Sequence, residues 1–424
     1  MSALPIHKRQ FHAFLSHAHA DKAVVDRLYA WLKETANIPI WYDADYLPAG
    51  SMIATYLPKA IDECRAMIIV LSQASTKSGW VEEEFNAAVG HRTQYRDYRI
   101  IPIRLEACDI PGFLQTTKWI DLVDGQLDVE RANELLTGLY YDDVDLGLGI
   151  NRDLYLSRTW RSSEAPLADA VCQQLARAGF RLIGDSEDQA GFAQGQRVES
   201  IISSCGGLAA ILPDRGQGQT SKYMLTEIEL AQKLGLPCLI VKESTVTLPE
   251  TMAAAAVKVI DSDLKEAFSD ETGLQEGLEI LKEEWSAPAH PHYVFFGTDF
   301  DEQHLSRNRA IKQTIQRVTA MPCFMGEDIR TGQIQEVIAD RIRNAFIMIA
   351  DISADNLNTC IEAGIARGAN THFHLVASEP RQRPPFMFRD QQVWHYADDV
   401  DLLGKVHRIV YPYRRRVLNW ELPR

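Results

Sequence analysis

The chain has 424 residues, of which 46% are hydrophobic and 24% charged, an ordinary globular composition with length for two to four domains. Its formal net charge of −14 argues against an extensive nucleic-acid surface, because duplex binding depends on neutralising phosphates. The seven cysteines are scattered without metal-binding spacing, so we expect buried thiols and no metal site. Neither a secretory signal nor a membrane-length apolar stretch is seen, which predicts a cytoplasmic protein with no membrane partner.

The first third of the chain alternates apolar strands with amphipathic helices. Strands are predicted to end at Ser16 and to span Ile38–Tyr42, Met67–Leu71 and Ile100–Ile103. This alternation predicts a doubly wound parallel sheet, with helices on both faces. In such sheets ligands bind at the carboxyl ends of the strands.

One short motif follows the buried strand Met67–Leu71. Ser78 is a suitable N-cap, and Trp80 and Glu84 are four residues apart, so on a helix they share one face. An indole beside a carboxylate at this edge suits a nucleoside-like ligand. The alternative is a core tryptophan followed by a solvated acidic first turn, which the helix dipole also favours.

Several polar or special residues fall at or just past the predicted carboxyl ends of the strands. They are Ser16, His17, Asp43, Gly50, Trp80 and Glu84. Because these ends meet at one edge of a parallel sheet, we expect the residues to converge there. This convergence favours a binding site over the acidic-turn alternative.

The same motifs resemble those of a known family. They are Phe14-Leu15-Ser16-His17, Trp41-Tyr42-Asp43 with Pro48-Ala49-Gly50, and Ser78-x-Trp80-Val81-x-x-Glu84. Together they resemble a Toll/interleukin-1 receptor (TIR) domain of the bacterial NAD-cleaving type, over about the first third of the chain.

The resemblance implies roles for these residues. Glu84 would be the catalytic glutamate and Trp80 would pack near the nicotinamide. The Asp43–Gly50 loop would gate the pocket, and Ser16 and His17 would contact substrate. NAD+ would be the substrate, with no separate cofactor. Because some active relatives carry arginines where this chain has His17 and His19, the phosphate-binding side of the pocket departs from the family pattern.

The second third repeats the first about 140 residues later. Ser221-Lys222-Tyr223-x-x-x-Glu227 corresponds to the segment around Trp80 and Glu84, which predicts a diverged TIR-like module. The loop Gln189–Gln196 lacks the Pro-Ala-Gly pattern. We therefore prefer a scaffold or sensor copy and leave open whether Glu227 is catalytic. The segment Pro249–Trp285 is predicted to be helical.

The last third carries a run that resembles the nucleoside 2-deoxyribosyltransferase-like family. This run consists of Asp351 after a buried strand, then Asn358 and Glu362, which stands in register with Glu84 and Glu227. The resemblance implies a nucleoside pocket lined by Asp351 and Asn358, with Glu362 as a nucleophile. A nucleotide-binding sensor and a second enzyme are both open, and the sensor is preferred.

Together these patterns predict an α/β protein of three tandem doubly wound (flavodoxin-like) parallel-sheet modules. The expected domains are 1–145, 150–285 and 290–424, with residues 140–145 as a linker. The resemblance implies an NAD+ glycohydrolase of bacterial antiphage defence, switched on by self-association into a homo-oligomer or filament. A nucleotide second messenger is the expected signal. The alternatives are a non-catalytic TIR scaffold and a deoxyribosyltransferase that acts through Glu362.

Overall fold

The computed structural model describes residues 9–46, 53–77, 84, 86–90, 98–122, 125–140, 152–159, 164–184, 194–262, 271–285, 293–319, 321–329, 334–353, 357–379, 384–413 and 416–417. These residues form three sheets, each with five parallel strands in the order 2-1-3-4-5, the flavodoxin-like arrangement. The second sheet carries a sixth strand, which is antiparallel. The prediction of three tandem doubly wound α/β modules is therefore confirmed.

The first sheet consists of β1 (Phe11–Ser16), β2 (Ile40–Trp41), β3 (Cys64–Leu71), β4 (Arg99–Arg104) and β5 (Ile120–Asp121). Its helices are α1 (Lys22–Ala30), α2 (Asp43–Tyr46), α3 (Ile53–Asp62), α4 (residues 84 and 86–90) and α5 (Val129–Leu139). A π-helical segment, Trp31–Thr35, continues α1. Phe14 and Leu15 of β1 belong to hydrophobic clusters on opposite faces of the sheet, which is why consecutive residues in the middle of this strand are apolar.

The second sheet consists of β6 (Arg152–Ser157), β7 (Phe180–Gly184), β8 (Gly207–Leu212), β9 (Cys238–Glu243) and β10 (Lys258–Ser262). Its helices are α6 (Ala165–Arg177), α7 (Gln194–Ser203), α8 (Lys222–Lys233), α9 (Glu250–Ala254) and α10 (Glu271–Glu283). The prediction of a helical Pro249–Trp285 is wrong, since β10 lies within it. Val259 and Ile260 are β-branched, and β10 adds to the edge of β9 in parallel register.

The third sheet consists of β11 (Val294–Gly297), β12 (Cys323–Phe324), β13 (Ile347–Asp351), β14 (Phe373–Ser378) and β15 (Val393–Tyr396). Its helices are α11 (Leu305–Thr319), α12 (Ile334–Arg343), α13 (Leu357–Gly368) and α14 (Asp399–Val410). The last strand, β16 (Arg416–Val417), pairs with β7 of the second sheet instead of this one. None of the helices in the described part of the chain has the length and apolar character that crossing a membrane requires.

The chain groups into two compact units, whereas the sequence predicts three consecutive domains. One unit contains residues 1–142 and 293–414, and the other contains residues 143–292 and 415–424. The first and third sheets therefore share a unit. The boundaries 1–145, 150–285 and 290–424 stay a prediction, although β1–β15 each lie within one of those ranges.

Within the first unit, one hydrophobic cluster runs from the helices of the first sheet to α11 and α14 of the third. At its centre His407 of α14 is fully buried, with Nδ1 2.6 Å from the carbonyl oxygen of Ala36 and Nε2 2.7 Å from the hydroxyl of Tyr140. Because a carbonyl oxygen only accepts, Nδ1 carries the proton and Nε2 accepts from Tyr140 in the neutral ring. Tyr140, predicted in a linker, is instead part of this core.

The same contact brings backbones close together. Trp31 Nε1 donates to the carbonyl oxygen of Val400 at 3.1 Å. A Cβ atom at Gly404 of α14 would lie 2.7 Å from Thr35 Cγ2 and 3.0 Å from Trp31 Nε1. Glycine at this position therefore allows α14 to approach the π-helical segment.

Candidate active site

The first candidate site is at the carboxyl end of β1, which lies between β2 and β3 in the first sheet. Ser16, the last residue of β1, donates a hydrogen bond from Oγ to Glu84 Oε2. The two residues are only 1% and 5% exposed. A buried carboxylate is costly unless donors satisfy it, so this hydroxyl helps to hold Glu84 in place at the sheet edge.

His17 and Asp43 lie beside this pair. The ring of His17 is 5.4 Å from the ring of Tyr42, centroid to centroid. Burial lowers the pKa of His17, and the carboxylate of Asp43 opposes the shift, which places the two side chains within electrostatic reach. Asp43 begins α2, where its Oδ1 accepts from the backbone N–H of Ala44 at 2.8 Å. The lowered pKa favours the uncharged ring of His17, which can both donate and accept a hydrogen bond.

The structure thus brings together four of the six residues that the sequence predicts here. Trp80 and Gly50 lie outside the described residues, as does the part of the Asp43–Gly50 loop after Tyr46. Ser16 faces the carboxylate of Glu84 and is almost completely buried, so its observed contact is with the glutamate.

The second sheet repeats the arrangement with two donors. Glu227 of α8 is 4% exposed and accepts from Tyr155 through Oε1 and from Ser157 through Oε2, both at 2.5 Å. Ser157 ends β6 as Ser16 ends β1, and the paired registers with β8 and β3 correspond. Sequence reasoning missed Tyr155, although a tyrosine standing in the place of Phe14 in the repeat was a usable signal.

The third sheet repeats the glutamate without the hydroxyl. The strand β11 ends at Gly297, and a Cβ atom there would lie 2.6 Å from Glu362 Oε2. No hydrogen bond reaches the Glu362 carboxyl group from the described part of the chain. Burial raises the pKa of Glu362 to about 7. The same carboxyl position therefore holds a group that is easily protonated.

Asp351 and Asn358, the other residues predicted around Glu362, differ in their surroundings. Asp351 is 1% exposed and accepts from Ser353 Oγ at 2.6 Å and from Tyr396 at 2.9 Å. Asn358 is exposed and lies one turn before Glu362 on α13. Protein donors already occupy Asp351, whereas Asn358 shares the helix face of Glu362 and is open to a ligand.

One group of side chains in the described part of the chain has the spacing of metal ligands. Ligand atoms of Asp299, Asp301 and His304 lie within 4.8 Å of one another. His304 Nδ1 and Asp299 Oδ1 are 2.5 Å apart, so two of the three already satisfy each other. This internal bond accounts for the cluster, and we assign it no ion.

The fold and the site define a class before any relative is considered: a doubly wound α/β module with a buried carboxylate at the carboxyl end of its first strand. Residues 13–136 match the family model described as a TIR domain. The first module is therefore a TIR domain.

A curated relative from Methanobrevibacter olleyae, named as a probable 2' cyclic ADP-D-ribose synthase, TcpO, is 25% identical over 127 residues. The match covers 30% of this chain and 34% of that protein, so this chain spans about a third of the relative's length.

Among solved structures, the TIR domain of the Toll-related receptor TRR-2 from Hydra magnipapillata is 21% identical and covers 27% of this chain and 86% of its own, with a TM-score of 0.24. The C-terminal domain of glucosamine-fructose-6-phosphate aminotransferase from Francisella tularensis is 9% identical and covers 69% of this chain and 96% of its own, with a TM-score of 0.23. Superpositions at this level carry no weight in assigning the fold or the function.

Proposed function

We propose that the TIR domain cleaves the nicotinamide–ribose bond of NAD+ and that Glu84 is its catalytic residue. The contact between Ser16 and Glu84 at the end of β1 carries the proposal, because it fixes a buried carboxylate where open α/β sheets bind their ligands. The TIR family match and the relative named as a cyclic ADP-ribose synthase support the same chemistry.

The reaction needs little beyond that carboxylate. As the bond to nicotinamide breaks, the ribose becomes an oxocarbenium-like cation, as in glycoside hydrolysis. A fixed carboxylate beside the ribose stabilises the developing positive charge, and such preorganised electrostatics is usually the largest catalytic term. Nicotinamide leaves as a neutral molecule and takes the bonding electron pair. Water then completes hydrolysis to ADP-ribose, or a ribose hydroxyl completes cyclisation.

The biological setting is part of the proposal. An NAD+-consuming TIR domain joined to two further modules suits an effector of antiphage defence that stays off until a signal arrives. Self-association into a homo-oligomer or filament is the proposed switch, and a nucleotide second messenger the proposed signal. We propose that the third module is the sensor and that it binds the signal beside Glu362, at the carboxyl end of β11.

Nicotinamide release from NAD+ by the purified full chain tests the proposal. We expect Glu84→Gln to lower the rate by at least 100-fold, because the neutral amide cannot stabilise a cationic transition state. Glu227→Gln is the matched control, since it makes the same change at the same place in the second module, and it is expected to retain the activity.

The measurement is made over a range of protein concentrations and with a crowding agent, so that self-association is driven. The assay is repeated with extract of phage-infected cells, which would supply the signal. Absence of nicotinamide release at every concentration, with and without the extract, would contradict the enzyme and favour the non-catalytic scaffold. Equal rates for wild type and Glu84→Gln would show that Glu84 is not the catalytic residue. Glu362→Gln would then test whether the third module cleaves NAD+.

A further inference from the structure

The three sheets place a glutamate at one equivalent position, but they satisfy it differently. Glu84 accepts from Ser16, and Glu227 accepts from Tyr155 and Ser157. In the third sheet Gly297 replaces the serine, and none of the described residues donates to Glu362. A mostly buried polar group without a partner is costly, so a hydrogen-bonding partner from outside the chain would stabilise it.

We propose that the carboxyl group of Glu362 is a binding group of the third module that pairs, as a neutral carboxylic acid, with the amide-like edge of an uncharged ring. A carboxylic acid offers one O–H donor beside one carbonyl acceptor. A carboxamide, or the edge of a nucleobase such as adenine, offers the complementary donor and acceptor. The two groups join through two hydrogen bonds without a net charge.

The protonation state of Glu362 is set by burial alone. Burial raises its pKa to about 7, so the acid form is available at neutral pH. The ionisable side chains on α13 itself, or on the elements that pack against it, are Glu336, Asp340, Arg341, Arg343, Asp351, Cys360, Arg367 and His374. Arg307 of α11 approaches the same strand end through Asp351. Arg367 of α13 forms an ion pair with Asp390 at 2.8 Å. None of these groups contributes to the raised pKa of Glu362.

The charges at this edge favour an uncharged ring beside Glu362, so the phosphates of a nucleotide signal would point away from this side chain. Arg307 is 3% exposed, and its guanidinium has three carboxylates within 4.0 Å, those of Asp299, Asp351 and Asp399. A phosphate would therefore find this arginine already neutralised, and it would be repelled by the surplus carboxylates.

The exposed surface of α13 suits the face of a ring. Leu357 and Ile361 are 73% and 63% exposed, and they lie next to Asn358 and Glu362 on the same helix. An apolar pair beside a polar pair matches a flat ring that carries a polar edge, as in sites that bind small molecules. Asn358 supplies a further amide to such a ligand.

Binding to the full chain carrying Glu84→Gln tests the proposal with no NAD+ present, so the result does not depend on whether the TIR domain is an enzyme. Nicotinamide and adenosine are titrated separately, because the first carries a carboxamide and the second a nucleobase edge. Nicotinic acid is the matched control, since it keeps the ring but replaces the amide with a carboxylate. We expect binding of at least one amide-bearing probe, and binding at pH 8.5 about 30-fold weaker than at pH 6.0.

Substitutions at Glu362 separate a hydrogen-bonding acid from a nucleophile. Glu362→Gln keeps a donor beside an acceptor, so it should retain binding and lose the pH dependence. Glu362→Ala should lose binding, and Glu227→Gln should change neither. The proposal is overturned if neither amide-bearing probe binds, if nicotinic acid binds as well as nicotinamide, or if Glu362→Gln abolishes binding.

Discussion

At the residue scale, the last position of the first strand (β1, β6 or β11) differs among the three modules. Ser16 gives Glu84 a hydroxyl donor, Ser157 does the same for Glu227, and Gly297 gives Glu362 none. Hydrogen bonds to a charged group contribute about 1.5 to 3 kcal/mol, so the hydroxyl helps to hold the buried carboxyl group in place. One position therefore determines whether the strand offers the glutamate a hydrogen-bond donor.

Replacing Ser16 with alanine should weaken NAD+ cleavage by about 10-fold or more, because Glu84 loses a donor that orients it and favours its charged form. Ser16 acts here as a positioning residue. The acidic limb of the pH–rate profile should also move to higher pH, since a less stabilised carboxylate is protonated more easily. Nicotinamide release measured between pH 4 and 8 checks both effects.

Ser16→Thr is the control, because it keeps the hydroxyl, and it should recover most of the rate and the position of the acidic limb. A Ser16→Ala variant that is slower at every pH by the same factor would indicate a general packing defect instead.

Glu362 should make the protein less stable as the pH rises, whereas a carboxylate paired with a cation makes a protein more stable as the pH rises. Unfolded, it loses its proton near pH 4.5, whereas in the folded chain it keeps the proton until about pH 7. The free energy of unfolding therefore falls as pH rises between these values and levels off above them. Glu362→Gln removes this penalty, so we expect it to stabilise the protein by up to about 3 kcal/mol at pH 8 and hardly at all at pH 4.

Chemical denaturation of both proteins at the two pH values measures this difference. A gain that is the same at pH 4 and pH 8 would show that the substitution improves packing and that the proton plays no part.

At the same scale, the sequence pattern predicts the glutamates but not their partners. The spacing from Trp80 to Glu84 and from Tyr223 to Glu227 places each carboxylate after a buried strand, which is enough to find the edge. The donors come from a different strand, and which hydroxyl reaches which oxygen depends on sheet register. Tyr155 and Gly297 were missed for that reason.

At the scale of elements, the contact of α14 with the π-helical segment Trp31–Thr35 depends on one small residue. Periodicity predicts that α14 is amphipathic, but it does not state which neighbour covers its apolar face. The structure covers it with residues from the first sheet, more than 350 positions earlier in the chain. The missed strand β10 has a different cause: its five residues between the helices α9 and α10 give too few periods to separate strand from helix.

Gly404→Ala should destabilise the protein by about 1 to 3 kcal/mol, because its Cβ would lie 2.7 Å from Thr35 Cγ2 and the helix would have to shift. Gly368→Ala is the matched control: the same change in helix α13 meets no atom within 4 Å and should be neutral or slightly stabilising. Thermal unfolding followed by circular dichroism compares the two. Equal effects would mean that the approach of α14 does not limit stability.

At the scale of the whole molecule, the modules do not behave as three independent domains in a row. The first and third sheets share one compact unit and one hydrophobic cluster, and the second sheet forms a unit with the last residues of the chain. Local sequence patterns predict each sheet well, because alternating strand and helix patterns indicate a parallel sheet. They do not predict that Tyr140 and His407 meet, since nothing local to either residue encodes the other.

The pairing of distant segments sets an order of events during synthesis. The helix α5 ends at residue 139, but the helices that cover its apolar side, α11 and α14, are completed only at residues 319 and 410. At about 5 to 20 residues per second, the ribosome needs on the order of 15 to 50 s to pass from one to the other. During that time the nascent TIR domain exposes an apolar surface to which chaperones can bind, and this surface is covered only after residue 410 has been translated.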